Sequence, residues 1–171
     1  MHGRRSYPLS EASDSKQTAI KRKFYYFCTM QKIVRCNEHD YTTLAGIWKR
    51  SVVATHTFLT EEAINEIESA LIPDYFPYVD LYAVVDNDIT AGFIGLNSDR
   101  IEMLFVDSDR LGRGYGASLI AFARRNGATK VDVNEQNPNA LGFYLANGFE
   151  VTGRDDTDEA GRPYPILHMS L

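Results

Sequence analysis

The sequence predicts an α/β domain on a mixed sheet, with elements in the order β-α-α-β-β-β-α-β-α-β-β. Three observations carry this expectation. Short apolar runs alternate with longer amphipathic stretches along most of the chain. Two polar turns, Asp86-Asn87-Asp88 and Asn97-Ser98-Asp99, separate three consecutive strand-like runs that read as antiparallel. A glycine-rich loop, Asp109-Arg110-Leu111-Gly112-Arg113-Gly114-Tyr115-Gly116-Ala117, joins the third of these runs to a helical stretch.

At 171 residues, with 44% hydrophobic and 24% charged, the composition is that of a soluble globular domain. A chain of this size buries roughly 70% of its unfolded surface. No apolar stretch approaches the roughly 20 residues that span a bilayer. Cys28 and Cys36 suggest neither a disulfide scaffold nor a metal site, so a cytoplasmic, reducing location and no metal are expected. Residues 1–29 hold six Lys or Arg against two acids, a net of +4, which leaves −9 of the total −5 for residues 30–171. An acidic body argues against nucleic acid as the main partner and favours amine-bearing ones.

In chain order, residues 1–29 read as a disordered basic arm, since they lack apolar periodicity, and 30–171 as the domain. Lys32 to Arg35 looks like a first strand. Asp40 is then expected to cap a helix whose buried face carries Leu44, Ile47, Trp48 and Val52. After a linker, His56 to Leu59, Thr60 caps a second helix with a stripe of Ile64, Ile67 and Leu71, ended by Pro73. Leu81 to Val85, Ile89 to Leu96 and Ile101 to Val106 are the next strands. The helix after the glycine loop stops at Asn126-Gly127, and Thr129 to Val133 follows as a strand. Asn137 as cap and Pro138 at the first position start a helix that ends at Asn147-Gly148. Phe149 to Gly153 and Pro165 to Leu171 are terminal strands around a polar loop from Arg154 to Pro163.

The loop carries the first chemical signal. Glycines at 112, 114 and 116 let the backbone turn tightly and approach a ligand without Cβ interference. The helix start behind them supplies free N–H donors and partial positive charge, which suit a phosphate or pyrophosphate. A tight turn with no ligand would look the same.

Two motifs at this separation give the chain its resemblance: Leu104-x-Val106 before Gly112-x-Gly114-x-Gly116, and Val133-x-x-x-Asn137-x-x-Ala140-x-x-x-Tyr144-x-x-x-Gly148-Phe149. Over about residues 30–171 the sequence resembles the GNAT (Gcn5-related) N-acetyltransferase superfamily. The phrases Ser51 to His56, Val133 to Asn137 and Gly161 to Pro165 are similar to its bacterial YjaB-like branch. The resemblance implies a GNAT-like mixed, mostly antiparallel sheet flanked by helices, and acetyl-CoA as co-substrate. It places the pantetheine arm between two splayed strands, against Leu104, Phe105 and Val106, and the pyrophosphate on Leu111, Gly112, Arg113, Gly114, Tyr115, Gly116 and Ala117. One departure is Leu111, where the family usually has Gln or Arg; Arg110 or Arg113 is expected to supply the missing charge.

By the same resemblance Asn137 contacts pantetheine and Tyr144 is the general acid for the CoA sulfur, also contacting the cofactor. A pure helix cap and a core aromatic are the plainer alternatives for these two. Glu102 is the base candidate, read by period two as sharing a strand face with Leu104 and Val106; a solvent-facing or ion-paired carboxylate is its alternative. His56 is the rival base and, with Tyr164, a candidate acceptor-binding residue, whereas His168 reads as packed or paired. The acids from Asp155 to Glu159 read as a solvated turn able to attract a cation.

The expected function is acetyl transfer to a primary amine by direct attack, the acceptor being a small-molecule amine or a peptide or protein amine. A non-catalytic CoA-binding sensor and a nucleic-acid binder using the basic arm are the competing classes. No membrane partner is expected, and a homodimer is one candidate assembly.

Overall fold

The computed structural model describes residues 31–171, so the arm expected at 1–29, with Cys28, lies outside the described residues. Seven strands form one sheet: β1 (Gln31–Arg35), β2 (Asp80–Asp86), β3 (Ile89–Asn97), β4 (Arg100–Val106), β5 (Lys130–Asn134), β6 (Glu150–Asp155) and β7 (Ile166–Ser170). Their spatial order is β1-β2-β3-β4-β5-β7-β6. β2–β3, β3–β4, β5–β7 and β6–β7 pair antiparallel, and β4–β5 is parallel. Four helices complete the expected order: α1 (Tyr41–Thr55), α2 (Glu61–Ala70), α3 (Tyr115–Arg125) and α4 (Pro138–Ala146).

Alternation along the strands divides the side chains between two cores. Leu44, Ile47, Trp48 and Val52 of α1 meet Leu81, Ala83 and Phe93 on one face. Leu119, Ile120 and Ala123 of α3, with Tyr144 of α4, meet Val84, Ile101, Val131, Val133 and Met169 on the other. The β2–β3 hairpin turns on Asn87 and Asp88, both in the left-handed region (φ 50° and 60°), which suits a two-residue turn of matching twist.

Several local expectations are corrected. Asp40 makes no side-chain cap on α1. Its carboxylate instead accepts from the Asn37 N–H (2.9 Å), while Asn37 caps the short turn at Glu38–Asp40. Asp40 is thus the third residue of a capping box, not the cap. Thr60 does cap α2, accepting from Ala63 N, but Ile64 and Ile67 are only half-buried and Ala63 is the buried residue of that helix. Pro73 does not end the chain's coiling there, because a wide π turn runs from Leu71 to Tyr75. β6 begins at Glu150 and extends to Asp155, past the expected limit at Gly153, because the chain there still pairs with Ile166 and Leu167.

Candidate active site

β4 and β5 are paired at only two positions, Arg100 with Lys130 and Ile101 with Val131. Beyond them the strands separate. The cause is local: Met103 stands opposite Gly95 and Ile101 opposite Leu96, so Glu102 is an extra residue in β4, a β-bulge. A bulge adds twist and turns the strand's course. From Glu102 to Val106 the outer edge of β4 therefore has no partner strand, and its backbone groups border a cleft of about 460 Å³. The bulge interrupts strict period two at Glu102, which lines the cleft together with Leu104 and Val106. Ile101, Leu104 and Val106 pack toward one core while Met103 and Phe105 pack toward the other, and the alternation breaks at residue 102.

The mouth of the cleft is the glycine loop. Gly112 and Gly114 have φ of +74° and +86°, and Gly114, the residue before α3, has no side chain to cap it, so the first N–H groups of α3 are not capped by a side chain. A Cβ on Gly116 would stand 3.2 Å from two ring carbons of Phe143, so glycine lets α3 and α4 approach. Leu111, Gly112, Gly114, Tyr115, Gly116 and Ala117 all line the cleft. Arg113 does not: it is exposed, and its guanidinium donates to the Asp109 carbonyl at 3.2 Å. Arg110 is the arginine that borders the cleft. The Tyr115 side chain is buried and its hydroxyl donates to Asp86 at 2.6 Å, so this residue offers the cleft mainly backbone.

On the opposite wall stands α4. Asn137 is 4% exposed. Its Oδ1 caps the helix by accepting from Ala140 N (3.0 Å), and its Nδ2 faces His56 Nε2 (3.3 Å). Asn137 is thus the cap of α4, as its alternative reading expected, and it also lines the cleft. Two turns further along, Tyr144 lies on the same face of α4 and also lines the cleft. Phe143 and Phe149 pack edge-on against its ring. Burial pushes its hydroxyl well above the ordinary range; no hydrogen bond or charge enters that shift.

Glu102 lines the cleft at an exposed rim. Its carboxyl is raised above the usual range, first by partial desolvation and then by Glu159 and Asp132, with Arg100 and an Asn97 hydrogen bond opposing. His56 lines the cleft as well, at the end of α1, and burial lowers its pKa. Tyr164 stands outside the lining, its ring edge-on to Phe58 (6.1 Å), which in turn packs on His56 (5.4 Å). His168 is paired: it bridges Asp132 (2.8 Å) and Asp155 (3.0 Å), and these bonds raise its pKa. The acidic loop is partly structural, because Asp158 accepts from Ala160 N, Arg162 N and Arg162 Nε.

Three features escape the one-dimensional reading. Arg50 and Asp107 form an ion pair that ties α1 to the end of β4. Ser51 and Thr55 stand behind His56. Asp132 on β5 joins the acids near Glu102. Only Ser51, a polar residue inside the apolar stripe of α1, carried a local signal. Among the described residues no group of three or more His, Cys, Asp or Glu is arranged to hold a metal, and no helix is long and apolar enough to cross a membrane.

The family model described as "Acetyltransferase (GNAT) domain" matches residues 51–170. The chain is similar to peptidyl-lysine N-acetyltransferase YjaB of Salmonella typhimurium, 41% identical over 143 residues that cover 82% of this chain and 97% of that protein. YjaB of Escherichia coli is 39% identical over 140 residues, covering 81% and 95%. The solution structure of apo-form YjaB from Escherichia coli superposes with a TM-score of 0.76 at 38% identity, covering 82% of this chain and 96% of that one. The PaiA N-acetyltransferase of Thermoplasma acidophilum, solved with coenzyme A, shares the fold at a TM-score of 0.61 and 18% identity, covering 82% and 99%.

Proposed function

The chain belongs to the GNAT acetyltransferase family, and from that premise we propose that it moves an acetyl group from acetyl-CoA to a lysine side chain of a peptide or protein. The single observation that carries this reading is the unpaired edge of β4. It is flanked at one end by the uncapped start of α3 and on the far wall by Tyr144. The lysine acceptor is supported by the names of the relatives and by the carboxylates of Glu102 and Asp132 on the cleft lining, with Glu159 close enough to act on Glu102.

Each wall has its part in the chemistry. Backbone N–H groups from Gly112 to Ala117, at the positive end of α3, hold a pyrophosphate. The free edge at Leu104, Phe105 and Val106 bonds the amides of pantetheine as an added strand would, and an N–H there polarises the thioester carbonyl. The amine nitrogen forms the new bond to the carbonyl carbon, and the carbon–sulfur bond breaks as the tetrahedral oxyanion collapses. Glu102 takes the ammonium proton, directly or through a water. Tyr144 gives its proton to the leaving thiolate, and the second proton that the nitrogen sheds as the adduct collapses restores the Tyr144 hydroxyl. Burial keeps the Tyr144 hydroxyl protonated until the thiolate forms, and a carboxyl raised above its usual range suits the base role.

The test has two steps. Thermal denaturation with and without CoA should show stabilisation growing with ligand concentration. Thiol release from acetyl-CoA should then depend on added lysine-containing peptides. Stabilisation without thiol release across peptides, polyamines and amino acids would make the chain a CoA-binding module. No stabilisation at millimolar CoA would overturn the reading.

A further inference from the structure

A chain of hydrogen bonds crosses from the end of α1 to the start of α4. Thr55 Oγ1 donates to the Ser51 carbonyl (2.7 Å) and stands 2.8 Å from His56 Nδ1. With the hydroxyl proton committed to that carbonyl, Nδ1 must be the donor to Oγ1. The imidazole is then the Nδ1–H tautomer, with its lone pair on Nε2. Facing Nε2 is Asn137 Nδ2 (3.3 Å), and the amide cannot be turned round because Asn137 Oδ1 is held by Ala140 N (3.0 Å). Every donor in the chain therefore meets an acceptor.

This arrangement fits a base poorly and a brace well. Both ring nitrogens are occupied, so no free lone pair is aimed at an incoming amine. The groups around the ring are the Phe58 and Phe105 rings, from the α1–α2 linker and from β4, and the Asn137 amide from α4. No charged side chain contributes to its titration.

We propose that His56 is a positioning residue: Nε2 fixes the Asn137 amide, and so sets the start of α4 and the Tyr144 hydroxyl against the open edge of β4. The proposal rests on the acetyl-transfer reading above. Asn137 and Tyr144 share one rigid helix, so a tilt at its N-terminus is felt at the hydroxyl two turns away. Protonation of Nε2 would set two donors face to face and break the brace, a change made through Asn137 alone.

The experiment uses the full chain and three variants. Asn137→Asp keeps an acceptor for Ala140 N but replaces the donor facing Nε2 by a carboxylate oxygen. His56→Gln offers an acceptor near Nε2 that does not titrate, and His56→Ala offers none. Ring resonances of His56 followed by NMR against pH should show its apparent pKa higher by at least about one unit in Asn137→Asp than in the wild type. An unchanged pKa would show that the contact is absent in solution and overturn the proposal. In turnover, His56→Ala should lower kcat roughly tenfold, and His56→Gln should recover it to within about threefold. Full activity in His56→Ala, or His56→Gln as impaired as His56→Ala, would equally overturn it, the latter because a proton-transfer role is then required. A wild type that turns over no amine would sink the acetyl-transfer reading and with it the catalytic half of the proposal. The NMR titration decides the His56–Asn137 contact in either event.

Discussion

Arg50 grips both carboxylate oxygens of Asp107, Nε to Oδ1 at 2.9 Å and Nη2 to Oδ2 at 2.6 Å. The pair joins the middle of α1 to the residue that follows β4, where the chain turns into the glycine loop. The Asp107 N–H also donates to the Ala91 carbonyl (2.9 Å), so this corner is held from two sides.

Arg50→Ala should therefore loosen the loop without touching it. Bidentate charge-assisted pairs are among the stronger side-chain bonds, but Arg50 is half exposed, and solvent screening limits the loss to about 1–2 kcal/mol. The Arg50 bond holds the Asp107 carboxyl below its usual range. A carboxyl depressed by folding stabilises above its unfolded pKa, and that contribution is lost as pH falls through the folded value. The difference in melting temperature between Arg50→Ala and wild type should be full near neutrality and vanish in strong acid. CoA affinity should fall several-fold in the same variant.

Tyr144→Phe isolates the hydroxyl from the ring. The aromatic contacts with Phe143 and Phe149 remain, so the melting temperature should stay within a degree or two of wild type. Loss of a general acid should lower kcat by about a hundredfold. The KM for acetyl-CoA should change less than threefold. Undiminished thiol release by this variant would remove Tyr144 from the acid role.

Glu102→Gln should act on rate and on pH dependence together. The raised carboxyl of Glu102 predicts an acid limb in kcat/KM lying above the ordinary glutamate range, and the variant should lose that limb along with most of the activity. The sign for stability is opposite to that of Asp107. A carboxyl raised by folding contributes fully below its unfolded pKa, and the contribution is lost as pH rises through the folded value. Glu102→Gln should thus melt slightly higher than wild type at neutral pH, with the difference vanishing in acid, where the Glu102 carboxyl is neutral as well.

Leu111 is 48% exposed and lines the cleft mouth, so a charge placed there disturbs no core. Leu111→Arg should tighten CoA binding several-fold at low salt, with the gain shrinking as ionic strength rises. Equal affinities at low salt would mean that the backbone amides and Arg110 already satisfy the pyrophosphate.

Local chemistry carried much of the architecture. Period-two runs, the Asn87-Asp88 turn, Thr60, and the Asn137-Pro138 start each act over a few residues, so the element order and the buried stripe of α1 were readable from spacing. Capping was harder at Asp40, because its carboxylate accepts from the Asn37 N–H three residues earlier instead of from the first turn of α1. The glycine loop and the Asn137 to Tyr144 stretch were legible as two motifs, since each lies on one continuous segment.

The sequence by itself determined the order of the elements, the family resemblance and the two motifs proposed as the ends of a cofactor site. Only the tertiary structure decided how those ends face each other. One extra residue at Glu102 opens β4 from β5, and a bulge becomes visible only when the partner strand fixes the register. Arg50 reaches Asp107 across 57 residues and His56 reaches Asn137 across 81. Such pairs leave no periodicity to read, because their geometry exists only once the sheet has brought α1, β4 and α4 to the same end.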